Sequence, residues 1–260
     1  GNMFRAKMPS VALPHYEEAE RLYAELNQLP NLSITLYEYA SLLYQNHDFQ
    51  GSLIKMQAAD SVFRLIRNPT LSIQQLHRSA LNTTGLALFK LNRNREALTM
   101  FDTALAMTIG VDDNLWKGLI TGNKGLCYLN LGDEKNAMLC FQTDMYYSKK
   151  FKNLESAASA AMSIAQFHFN NRNLNDTKKY LDSALLWNGG AKNRILSGSY
   201  LLLAKWYDAK GVHDQAYAYS VKGMMLNDSI ASKIKQAEVV ESKSRIDMAR
   251  QQHQLDLLIA

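Results

Sequence analysis

The feature that most constrains this chain is a set of residues recurring at fixed helical spacing. Four segments, REALTMFDTAL (95–105), KNAMLCFQTDM (135–145), NDTKKYLDSAL (175–185) and DQAYAYSVKGM (214–224), align on a triplet spaced i, i+4, i+7. The triplets are Ala97/Phe101/Ala104, Ala137/Phe141/Asp144, Thr177/Leu181/Ala184 and Ala216/Ser220/Gly223, with earlier candidates at Ser52/Met56/Ala59 and Ala19/Tyr23/Leu26. That spacing keeps three side chains on one face of a helix, so each triplet marks a buried stripe. Twelve residues before most anchors stands another small residue: Ala40, Gly85, Gly125, Ala165 and Ala204. Three places after it comes a large residue: Leu43, Leu88, Tyr128, His168 and Tyr207. The two stripes are separated by QNHD (45–48), LNRN (91–94), LNLGDE (129–134), NNRN (170–173) and KGVHD (210–214), with Asn94, Asp133 and Asn173 suited to cap the next helix. A stripe, a short polar turn and a second stripe, repeated, predict antiparallel helix pairs whose small residues allow close crossing.

Composition agrees. The 260 residues are 47% hydrophobic and 20% charged, enough for a sizeable core, and only 4 prolines and 13 glycines punctuate them, which disfavours a turn-dense β fold. No run of about 18 apolar residues is present, so nothing within the sequence reads as a membrane span. Two cysteines cannot form a disulfide framework. The pattern predicts about twelve helices: one N-terminal helix or partial repeat in 2–32, five hairpins in 33–230, and a C-terminal linker helix in 231–260. An ordinary bundle with alanine-rich faces is the alternative.

The repeat resembles the tetratricopeptide repeat (TPR), whose small residues fall at comparable positions; GLCYLNLGDEKNAMLCF (125–141) matches most closely. The departures are anchors about 40 residues apart rather than 34, which longer helices would explain, and Asp144 in place of a small residue. The resemblance implies an all-α, TPR-like α-α superhelix, a right-handed solenoid with a concave groove lined by the first helix of each pair. Such a groove binds protein or peptide segments. Registering the first helices gives Tyr37, Glu38, Ser41 and Tyr44; Asn82, Thr83, Leu86, Phe89 and Lys90; Asn123, Leu126 and Asn130; Met162, Ser163, Gln166 and Asn170; and Leu201, Lys205 and Asp208. Of these, Tyr37, Tyr44, Asn82, Phe89, Lys90, Asn123, Asn130, Gln166, Asn170 and Lys205 are the expected groove contacts. Amides there can both donate to and accept from an extended backbone. A carboxylate clamp of the kind found in some TPR chaperone cofactors is incomplete: Arg78 and Asn82 are followed, in later repeats, by Asn123 and then by Met162 and Gln166 rather than cations.

Signals of chemistry are missing. His15, His47, His77, His168, His213 and His253 are dispersed, and His168 occupies the large-residue slot of its repeat. Cys127 and Cys140 lack metal-site spacing and read as buried thiols. No phosphate loop, nucleophile elbow or paired carboxylate motif occurs, so no enzyme activity and no metal or cofactor is expected of this fragment. The net charge of +5 and the pI near 9.0 are mildly basic. Lys149-Lys150-Phe151-Lys152 and Lys178-Lys179 read as solvated surface rather than a nucleic-acid site, and Trp116, Trp187 and Trp206 as packing at hairpin junctions.

The segment from Tyr217 to Arg245 is similar to the junction in a group of Bacteroidetes membrane-bound sensors, in which the last TPR unit ends on Asp-Ser-Ile and runs into a long polar helix. Asn227-Asp228-Ser229-Ile230 carries that likeness, with Asn227 or Asp228 placed to cap the following helix. The resemblance implies the sensor region of a histidine kinase or transcription regulator, with the repeats on the periplasmic side of an inner membrane. Leu255, Leu257, Leu258 and Ile259 then read as the approach to a span just after Ala260, and Gly1-Asn2 as the remnant of a cleaved tag. A weak heptad at Ile234, Ala237, Met248, Leu255 and Leu258, interrupted by Glu241, Ser244 and Gln251, predicts weak or absent homodimerisation. The alternatives are a free-standing TPR scaffold or assembly factor, and a cytoplasmic peptide-responsive regulator like the Gram-positive pheromone receptors.

Overall fold

The structure is a computed structural model that describes residues 9–108, 110, 113–233, 235 and 236. Among these residues there are eleven helices and no strand. The chain divides into two compact units, one drawn from 1–93 with 233–260 and the other from 94–232. The first holds α1 (Pro9–Glu25), α2 (Leu29–Gln45), α3 (Phe49–Leu65) and α4 (Leu71–Lys90). The second holds α5 (Asn94–Ala106), α6 (Asp113–Asn130), α7 (Glu134–Lys150), α8 (Leu154–Asn170), α9 (Leu174–Asn188), α10 (Arg194–Ala209) and all but the last residue of α11 (213–233). Helices α2 and α3, α6 and α7, and α8 and α9 pack as extensive antiparallel pairs. Two 17-residue helices and two three-residue turns account for the 40-residue spacing, as the longer-helix expectation requires.

The same turn recurs. After α1, α2, α4, α6, α7, α8 and α10 the second residue is left-handed: Asn27, His47, Asn92, Gly132, Lys152, Arg172 and Gly211, with φ between 50° and 78°. One residue later an amide reaches back to the carbonyl five positions earlier, as in Asp48 N to Leu43 O at 3.0 Å and Asp133 N to Tyr128 O at 2.9 Å. This Schellman closure satisfies carbonyls that a helix end would otherwise leave open. The next side chain often caps the following helix: Asp48, Asp133, Asn153 and Asn173 accept from the amides of Gly51, Asn136, Ser156 and Asp176. The turn at 151–153 is thus the same device as the others, inside a stretch that composition marks only as basic.

The stripes are the core. In the second unit Ala97, Phe101 and Ala104 are all 0% exposed, as are Thr177, Leu181 and Ala184. Phe141 and Ala137 pack with Ile164, and Ala165 and Leu181 with Leu202 and Leu203. In the first unit Leu36, Ala40, Met56, Ala59, Phe63 and Ala80 form one cluster. The large-residue slot closes these crossings: His168 stacks on Tyr180 at 5.5 Å and 10°, and Tyr207 on Tyr219 at 5.5 Å and 5°.

Three sequence readings change. Leu26 lies beyond the end of α1 and is 63% exposed, because the helix stops at Glu25 before a third stripe position can form. In the last triplet only Gly223 is buried, while Ala216 and Ser220 are half-buried. Asn227 and Asp228 cap nothing: α11 runs through them, and Asn227 Oδ1 instead accepts from Ser197 Oγ at 2.5 Å. The heptad at 234–258, the apolar turn at 255–259 and Gly1-Asn2 lie outside the described residues.

Candidate functional site

The residue after the buried small residue of a first helix is the first that packing leaves open. In the second unit Gln166 follows Ala165, which is 0% exposed, and Lys205 follows Ala204, which is 8% exposed. Gln166 is half-buried and Lys205 exposed. Asn123, two places before the buried Gly125, is half-buried, and Asn130 and Asn170 stand exposed at the ends of α6 and α8. Gln166 Nε2 donates to Asn170 Oδ1 at 2.8 Å, one turn along the helix, and Asn130 Nδ2 donates to Asn94 Oδ1 at 3.3 Å. Gln166 keeps an acceptor oxygen and a second N–H beyond that pair, and Asn170 its own amide donors. Half-buried Leu126, Met162 and Leu201 lie on the same three helices. Each of the three first helices of this unit therefore carries half-buried or exposed polar side chains as well as half-buried apolar ones.

In the first unit the predicted residues separate. Tyr37 borders a cleft of about 210 Å³ with Tyr16 of α1 and Glu38, Ser41, Leu42 and Gln45 of α2. Tyr44 is engaged in packing, edge-on to Phe49 at 5.4 Å, and burial pushes its phenol above the ordinary range. Asn82 is only 8% exposed, so its amide belongs to the packing of α4 rather than to an open groove. Lys90 is exposed, with its ammonium 5.6 Å from the half-buried Phe89 ring. Arg78 is 2% exposed, so it and Asn82 cannot present a clamp to a partner's carboxylate.

The repeat pattern does not point to Tyr16, because α1 carries no complete repeat signature. It is fixed by stacking on Tyr39 (5.9 Å, 15°), whose hydroxyl donates to Glu17 Oε1 at 2.9 Å. Glu20 and Lys55 tie α1 to α3 at 2.6 Å.

Asp144 is the other feature with chemical character. It is 6% exposed on α7 and accepts from Ser148 Oγ at 2.7 Å and Ser156 Oγ at 3.1 Å. Gly122 makes its place, since a Cβ there would collide with the Asp144 carboxylate, and Gly118 makes room for its neighbour, since a Cβ there would stand 2.7 Å from Tyr147 Cβ. Burial raises the carboxyl to about 6, against the two hydroxyl hydrogen bonds that lower it. The departure from the repeat pattern is therefore compensated on the facing helix. Cys127 and Cys140 are buried free thiols, and desolvation pushes Cys127 up to about 11. Trp206 Nε1 donates to Leu174 O at 2.7 Å, joining α10 to the start of α9, and the Lys149 ammonium lies 4.9 Å from the Trp187 ring. Among the described residues no three His, Cys, Asp or Glu converge on a metal position, and no helix is long and apolar enough to cross a membrane.

No protein-family model matches the sequence, and no curated protein matches it. Solved structures match in fold. BtubC (BKLC) from P. vanneervenii is 14% identical, with 85% of this chain covering 91% of that one at a TM-score of 0.67. The TPR-like repeats of a Podosopora anserina kinesin light chain are 13% identical, with coverage of 78% and 98% and a TM-score of 0.57. A Rap protein complexed with Competence and Sporulation Factor is 15% identical, with coverage of 85% and 71% and a TM-score of 0.58. The fold is all-α and TPR-like.

Proposed function

We propose that this chain is a protein- or peptide-binding repeat module, and that the first-helix row of the second unit, Asn123, Gln166, Asn170 and Lys205, holds an extended partner segment. The observation that carries this is the contrast within each first helix. The small residues Gly125, Ala165 and Ala204 are buried, while Asn123, Gln166 and Lys205, one or two places away, are half-buried or exposed. A polypeptide backbone, which offers a donor and an acceptor at every residue, is the ligand that such a row suits. The fold it shares with a Rap protein complexed with Competence and Sporulation Factor supports the same reading.

The finer role is the sensor region of a bacterial signal-transduction protein, on the periplasmic side of the membrane. It rests on the likeness of the junction around Asn227-Asp228-Ser229-Ile230 to membrane-bound sensors. Ligand binding would act by favouring one arrangement of the repeats over another, to the extent of its differential affinity for the two. On this reading the chain performs no chemistry, contacts no nucleic acid and dimerises weakly or not at all. A cytoplasmic peptide-responsive regulator is the second reading, favoured by the Rap-like fold. Selecting binders from a random peptide library and photo-crosslinking them tests the site. The expected result is crosslinks within 113–130, 154–170 and 194–209; crosslinks confined to the second helices would overturn it.

A further inference from the structure

The turns at the two ends of the second unit's helices differ in charge. The Lys149 ammonium lies 4.9 Å from the Trp187 ring, which brings the last turns of α7 and α9 side by side, so the α7–α8 and α9–α10 connections share one end. Residues 146–155 and 186–194 there hold Lys149, Lys150, Lys152, Lys192 and Arg194 against Glu155, a net +4, where the whole chain carries +5. The connections at the opposite end, within 127–136, 166–175 and 206–215, hold Lys135, Arg172 and Lys210 against Asp133, Glu134, Asp208 and Asp214, a net −1. All five cations of the basic end are exposed, and the ion pairs among the described residues engage none of them. Asp113, which opens α6 at that end, is buried.

Large apolar side chains stand among those charges. Leu186, in the last turn of α9, is 75% exposed; Tyr146, near the end of α7, is 60% exposed; Leu154, which opens α8, is 47% exposed. Apolar surface held in water beside a charged rim marks an interaction surface. The combination decides the partner. Cations alone would suit any polyanion, and exposed leucines alone any apolar surface. An anionic phospholipid bilayer offers both. Its headgroup phosphates take ammonium and guanidinium groups, and its acyl boundary receives leucine and tyrosine at helix ends without a matching pocket. An acidic protein would need recesses shaped for Leu186 and Tyr146.

We infer that the end of the second unit formed by the α7–α8 and α9–α10 turns docks on an anionic phospholipid surface, with Lys150, Lys152, Lys192 and Arg194 on the headgroups and Leu154 and Leu186 at the acyl boundary. This surface needs no bound segment, and Asn130 and Asn170 of the first helices stand at the opposite end.

The test co-sediments the chain with sucrose-loaded vesicles of phosphatidylcholine, either alone or mixed with phosphatidylglycerol. The chain should pellet with the anionic vesicles at low salt, leave them in high salt and ignore the neutral ones. Each cation near such a surface is worth about fivefold in binding, so Lys150→Gln/Lys192→Gln/Arg194→Gln should weaken it by about twentyfold or more. Lys135→Gln/Arg172→Gln/Lys210→Gln lowers the net charge equally at the other end and should weaken it by less than about threefold. Leu186→Ser should weaken it by about fivefold at an unchanged thermal midpoint. No binding to the anionic vesicles, equal binding to the neutral ones, or equal losses in the two triple variants would overturn the docking surface. Binding indifferent to Leu186→Ser would overturn the lipid partner in favour of an acidic protein. Vesicles carry no peptide, so each of these outcomes leaves crosslinking to the first helices a separate result.

Discussion

Asp144 shows how one side chain can set the conditions under which the second unit is stable. Its ordinary carboxyl value applies in the unfolded chain, whereas in the fold burial lifts it to about 6. A raised folded value means that the group favours the fold below about pH 4, and that this advantage fades as pH rises through 6. Above that, the buried charge costs up to about 3 kcal/mol. Asp144→Asn keeps the shape and an acceptor for Ser148 and Ser156 while removing the charge. Urea denaturation should find the variant more stable than the parent by about 2 kcal/mol at pH 8, with the difference vanishing near pH 4. A constant difference across that range would mean that the carboxylate is solvated. The sequence shows Asp144 as an oddity in its repeat. What makes it tolerable, a gap left by Gly122 on the facing helix, emerges only when α6 and α7 are in contact.

At the scale of elements, the repeated Schellman turn explains both the regularity and its weak points. Gly132 and Gly211 adopt positive φ without strain, whereas Lys152 and Arg172 hold the same conformation with a Cβ in the way. Lys152→Gly should therefore stabilise the protein by about 0.5–1 kcal/mol in thermal or urea unfolding, the relief of left-handed strain outweighing the added backbone entropy of glycine in the unfolded chain. A loss of stability would show that the Lys152 side chain contributes a contact larger than the strain it causes. The helices themselves were legible beforehand, because burial imposes the i, i+4, i+7 spacing and Phe101, Leu181 and Met56 all prove fully buried. Turns rich in Asn, Asp and Gly were legible for the same local reason. The turn at 151–153 was not, since closure depends on backbone geometry that Lys152 adopts as well as Gly132 does. Nor was the uninterrupted course of α11 through Asn227-Asp228, residues that often cap helices but here lie within one.

For the molecule as a whole, the two compact units divide at Arg93 and Asn94, within a turn indistinguishable in sequence pattern from its neighbours. Periodicity reports what each helix pair buries and is silent on where the units separate. The same limit governs the candidate site. Register along the first helices identified Asn123, Gln166 and Lys205 as accessible, yet it grouped with them Asn82, which packing removes from solvent, and passed over Tyr16, which tertiary contact adds. Segment recognition by the first-helix row of the second unit is the claim on which the functional account rests. The most direct measurement is the affinity of one selected segment for the parent chain and for an Asn123→Ala/Gln166→Ala variant, with the urea midpoint of both taken in the same buffer. The account predicts binding weaker by tenfold or more, about 1.4 kcal/mol, at an unchanged midpoint. Equal affinity in the two proteins would contradict it.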